Sequence, residues 1–96
     1  MNTKEAIRKF AHLEGAKYDG KLVYSSCKPK ITIDIWLIND IIDEIEDISK
    51  DDRNYLKKIN FDFFEKNMDK FQEGYVIDLV NVYPLLKKIT DFLIQK

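Results

Sequence analysis

The sequence is poor in the residues that usually carry chemistry. It has one cysteine, Cys27, one histidine, His12, one tryptophan, Trp36, and only two arginines, Arg8 and Arg53. A lone cysteine closes no internal disulfide, which fits a reducing compartment. It also leaves no paired Cys/His spacing for a structural metal. His12 lies off the apolar stripe of the first helix and has no patterned nucleophile or second base beside it. Cys27 stands among Ser25, Ser26 and Lys28, where a cation beside a thiol is the only hint of reactivity. No GxGxxG, P-loop or HExxH pattern occurs, and "DISKDDRNYLKK" lacks the central glycine and closing glutamate of a calcium loop. The sequence therefore points away from an enzyme and requires no cofactor and no metal.

Long apolar runs are missing too. No stretch nears the roughly 18 residues that identify a membrane helix. The start, "MNTKEAIRKFAHLEG", scatters charge where a secretory leader needs an unbroken apolar segment. A cytoplasmic protein with no membrane anchor is expected. There is no internal repeat and no low-complexity tract.

What is present describes a globular chain. Apolar residues make up 45% and charged residues 34% of 96 positions, enough for one domain, 1–96, with a modest core. The net charge is −1, but the charge is segregated along the chain. Residues 1–30 hold seven basic and three acidic side chains. Residues 31–52 hold eight acids, Asp34, Asp40, Asp43, Glu44, Glu46, Asp47, Asp51 and Asp52, against Lys50 alone. Residues 53–96 return to eight bases and six acids. Lysine far outnumbers arginine and isoleucine is abundant, a usage common in AT-rich bacteria and their phages.

Periodicity gives the elements. Ala6, Ile7, Phe10 and Leu13 form a helical stripe over 3–14, with Asn2 or Thr3 as cap and Gly15 where a helix-ending glycine belongs. Between 15 and 30 a long structureless loop is disfavoured. A β-hairpin pairing 21–25 with 30–35 accounts for "KLVYSS" and "KITIDI". The stretch "ITIDIWLINDIIDEIEDI" changes period along its length. On a helical wheel Ile33 faces the wrong way and Asp34 falls among isoleucines, where an unpaired carboxylate is costly. As a strand over 31–35 both conflicts vanish. A helix then begins near Trp36, with Asp34 as its candidate cap, and runs to about Ser49. Two short helices, 52–59 and 63–73, follow, the second ending at Gly74. "YVIDLVNVY", 75–83, fits a strand or a helix. Pro84 predicts a break or kink before a final helix over 84–95.

The expected fold is mainly α within the α+β class, a small domain of four to five helices with a β-hairpin near residues 21–35. The alternative is a fuller α+β domain with further strands near 58–63 and 75–83.

The acidic helix is the strongest positive feature. Asp40, Asp43, Glu44 and Asp47 lie away from the isoleucines, and Trp36 falls on that same polar side. The bland explanation is a solvated helix exterior, with Trp36 folded onto a neighbour. The functional one is a protein-binding surface, since an aromatic anchor amid charge is what interface hot spots look like. The expected partner-binding residues are Trp36, Asp40, Asp43, Glu44, Asp47 and Asp51. The expected function is a small non-enzymatic inhibitor that neutralises a larger basic protein: a toxin, a nuclease or a defence effector. Toxin-immunity proteins and phage-encoded inhibitors of bacterial defence systems are the natural examples. The alternative is a nucleic-acid-binding regulator that uses Lys4, Arg8 and Lys9 of the first helix. The scarcity of arginine and the lack of a tight glycine turn between helices argue against nucleic acid.

Overall fold

The computed structural model describes residues 1–24 and 32–95, apart from the side chains of Leu22 and Tyr24. Cys27, Lys28, Lys30 and the middle of the expected hairpin lie outside the described residues. The element order is α1 (Thr3–Leu13), β1 (Ala16–Tyr18), β2 (Leu22–Tyr24), β3 (Thr32–Asp34), α2 (Ile35–Glu44), α3 (Lys50–Lys66), β4 (Val76–Asp78) and α4 (Leu79–Ile94). The chain is thus mainly helical with small antiparallel pairs, the class its sequence indicates.

α1 begins where the sequence places it. The Asn2 side-chain oxygen accepts from the Glu5 N–H at 2.8 Å, and Ala6, Ile7, Phe10 and Ala11 are buried. Gly15, at φ 76°, turns the chain out of the helix, a conformation that glycine adopts without a Cβ clash.

The strand pairing differs from expectation. Among the described residues β2 does not pair with the strand before α2. It folds back on β1 through the turn at 19–21, with Ala16 opposite Tyr24 and Tyr18 opposite Leu22. β3 instead pairs with β4, more than 40 positions along, with Thr32 opposite Asp78 and Asp34 opposite Val76. The central pair explains the choice. Ile33 and Ile77 face each other, and both are buried in the main core. A local hairpin would have left Ile77 without its cross-strand partner.

The change of period is found where it was placed. β3 ends at Asp34, whose carboxylate accepts from the Trp36 N–H at 2.8 Å and caps α2. Ile35, Ile38, Ile41 and Ile42 are then buried. The helix stops at Glu44, short of Ser49. The Arg53 guanidinium reaches back from α3 and donates to the carbonyls of Ile42 and Asp43, at 2.7 and 2.9 Å, and to that of Ile45. Carbonyls at a helix end lack their usual partners four residues on; that of Ile42 also accepts from the Ile45 N–H. Ser49 serves the next helix instead: its hydroxyl accepts from the Asp52 N–H.

α3 is one helix and not two. No glycine or proline lies between Lys50 and Lys66, so nothing interrupts the backbone at "INFDFF". The apparent alternation there comes from aromatics that share the helix surface, with Phe61 exposed and Phe63 and Phe64 half-buried. A short 3-10 turn, Met68–Lys70, follows. The strand alternative at 58–63 is therefore helix, whereas 75–83 divides, with a strand to Asp78 and helix from Leu79.

That division also moves the break expected at Pro84. The helix runs through Pro84, and the change of direction falls at Asp78. Proline removes the N–H that would bond to the carbonyl of Val80. Val80 is 76% exposed, so that side of the first turn faces solvent. Leu79, Val82, Leu85, Leu86, Ile89 and Leu93 form one continuous buried face. α1 packs on α4, α2 on α3, and the β3–β4 pair joins them.

Candidate functional site

The start of α2 and the second half of α3 line an apolar groove of about 400 Å³. Trp36, Phe61, Phe64, Met68 and Tyr75 supply its apolar walls, and Asn39, Asn60 and Glu65 its polar ones. Trp36 is neither a core residue nor a free one. It is 47% exposed and meets Phe61 and Tyr75 edge-on. The ring centroids are 6.4 and 6.1 Å apart, and both interplanar angles are 81°. Perpendicular contacts of this kind hold an indole in place. Phe61, Met68 and Tyr75 are 46%, 60% and 51% exposed, so the groove's apolar wall is open to a partner.

Tyr75 is placed by backbone. It sits at φ 63°, a left-handed conformation that costs a non-glycine residue about 1 kcal/mol or more. Gly74 beside it is also left-handed, at φ 84°. The Tyr75 carbonyl accepts from the Ile35 N–H at 3.1 Å, and its N–H donates to the Gln72 carbonyl. The same residue thus closes the β3–β4 end and satisfies the first turn of α2.

Two amides line the floor. Asn60 is 2% exposed and follows Leu56 on the inward side of α3. Its Nδ2 donates to the Ile35 carbonyl at 3.5 Å, which turns its oxygen the other way. Neither the Asn60 nor the Asn39 side-chain oxygen has a hydrogen-bond partner. A buried acceptor left unpaired costs about 1–3 kcal/mol.

The acidic residues divide into two sets. Trp36, Asp40 and Asp43 recur at i, i+4 and i+7 on α2, and Glu44 lies one turn beyond Asp40. All four are exposed. Asp43 is ion-paired with Lys57 at 2.7 Å. The other set lies elsewhere. Asp47, past the end of α2, accepts from both the N–H and the hydroxyl of Thr3 at 2.6 Å. It therefore braces the start of α1. The Thr3 hydroxyl, more than the Thr3 N–H, holds the Asp47 pKa below the ordinary carboxylate value. Asp51 sits in the first turn of α3, where a negative charge favours the helix N-terminus. The structure thus places Trp36, Asp40, Asp43 and Glu44 along one exposed side of α2, Asp47 after its end and Asp51 in the first turn of α3.

Phe61, Met68, Tyr75, Asn39 and Asn60 were not expected at the site. One signal for Asn60 was present in the sequence: a polar residue at i+4 from Leu56 on the inward side of a helix. Among the described residues no three His, Cys, Asp or Glu side chains converge as metal ligands. Nor is any helix among them long and apolar enough to cross a membrane. The chain matches no protein-family model, no curated protein and no solved structure.

Proposed function

We propose that this chain is a small non-enzymatic binding protein that occupies and neutralises a basic surface of a larger protein, as toxin-immunity proteins and phage-encoded inhibitors do. The single observation that supports it most is Trp36, held half-exposed between Phe61 and Tyr75 over an apolar groove. Interfaces place aromatic anchors at the centre and charge at the rim. Asp40 and Glu44 lie along the same helix as that rim, with Asp43 between them already paired to Lys57. Their charge speeds the approach of a cationic partner and sets its orientation. Asp47 is engaged by Thr3, so the binding face is smaller than the acidic block.

The test is retention of a basic protein from the native host by the immobilised chain. Trp36→Ala and the pair Asp40→Lys with Glu44→Lys each lose that protein while circular dichroism stays helical. Equal retention by all variants contradicts the proposal.

A further inference from the structure

We propose that the Trp36 groove is an arginine-side-chain receptor, in which a guanidinium from the basic partner enters between the aromatic walls and donates to Asn39, Asn60 and Glu65. This rests on the protein-binding reading of the same groove and names the group that enters it. The polar lining offers acceptors. The side-chain oxygens of Asn39 and Asn60 are unpartnered and closed to solvent, so they accept from a guest once their side chains turn toward it, whereas Glu65 adds a carboxylate already exposed at the rim. The Asn60 amide nitrogen is turned toward the Ile35 carbonyl, which commits its oxygen to the opposite side. A purely apolar guest would leave both amide oxygens unpaired. An ammonium is a compact, strongly hydrated charge with no flat face. A guanidinium brings five N–H donors in one plane, stacks on aromatic rings and is weakly hydrated. Trp36 stands perpendicular to both Phe61 and Tyr75, so the groove offers ring faces in two orientations to a planar cation.

The experiment uses the full chain and four capped pentapeptides, Gly-Ser-X-Ser-Gly, in which X is arginine, citrulline, lysine or norleucine. Trp36 is the only tryptophan, so its fluorescence and its indole N–H signal report groove occupancy without ambiguity. The side-chain amide signals of Asn39 and Asn60 report the hydrogen bonds. The arginine peptide is expected to shift all of these and to bind about tenfold tighter than the lysine or norleucine peptides, with citrulline between. Asn39→Leu is expected to abolish the preference for arginine over norleucine. Asn60→Leu does the same if it folds, and the ranking on the unaltered chain stands without it. Norleucine equal to or above arginine overturns the inference, as do equal arginine and lysine affinities or no shift with any peptide. Partner retention lost by Trp36→Ala would survive each of these results, so the protein-binding reading and the arginine inference fail separately.

Discussion

Two strand-to-helix junctions lie side by side in this molecule, and they are built alike. Thr32-Ile33-Asp34 leads into α2 and Val76-Ile77-Asp78 into α4. In each, the isoleucine is buried, the aspartate occupies the cap position, and the next residue, Ile35 or Leu79, enters the core. The second helical residue is then exposed: Trp36 in one, Val80 in the other. The difference lies in what faces that residue. Trp36 has Phe61 and Tyr75 against it, whereas Val80 is 76% exposed. One local pattern therefore serves two ends. The α4 junction joins the core, and the α2 junction joins the core and also displays an aromatic group.

The shared part of the comparison is broken most severely at the isoleucine pair. Ile77→Ala removes the partner of Ile33 and is expected to cost about 2–5 kcal/mol of unfolding free energy in urea, since both junctions pack through this contact. A smaller loss marks the helix ends. α2 has 10 residues and α4 has 16, and Arg53 closes the shorter one. Arg53→Met is expected to cost about 1.5–3 kcal/mol, the range for hydrogen bonds from a charged donor. Amide exchange in the last turn of α2 should quicken with it.

The capping aspartates sharpen the contrast. Asp34 accepts from a helix N–H, while Asp78 makes no side-chain cap bond. Asp34→Ala is expected to cost about 1 kcal/mol, or about 4–8 °C in thermal midpoint for a chain of this size. Asp78→Ala should cost only a few tenths of that. Equal losses would show that the two junctions do not differ at their caps.

Much of the first junction was legible in the sequence. Ile33 and Asp34 could not both sit well on a helix, and that conflict located the change of period. The second junction carries the same Ile-Asp pair, but its valines suit strand and helix equally, and Pro84 drew the expected break six residues too late. Local pattern says nothing of which strand pairs with which. It kept β2 and β3 together, whereas the Ile33–Ile77 contact separates them. The exposure of Trp36 and the polar side of α2 were legible, and with them one edge of the groove. Its walls were not, because they come from segments brought together only by the fold. The role of Asp47 was hidden for the same reason, since Thr3 lies 44 positions away.

The smallest effect concerns that acidic residue, and it is read in pH. Folding lowers the Asp47 pKa through the Thr3 hydrogen bonds. Its contribution is therefore complete above the ordinary carboxylate value and is lost as pH falls through the lower, folded value. Asp47→Asn should lower the thermal midpoint at neutral pH, and the gap from the unaltered protein should close on acidification. A gap that widens in acid would assign Asp47 another role. Neither protein should differ in partner retention, because Asp47 stands outside the groove.

The central claim is that the α2 junction holds Trp36 for a partner and not for the core. Equilibrium urea unfolding of Trp36→Ala, followed by far-ultraviolet circular dichroism beside Val80→Ala, tests it most directly. Loss of two edge-on aromatic contacts predicts about 1–3 kcal/mol for Trp36→Ala, and less than about 0.5 kcal/mol for the exposed Val80. A loss for Trp36→Ala of about 3–5 kcal/mol, the value for truncating a large aromatic in a core, would contradict the account.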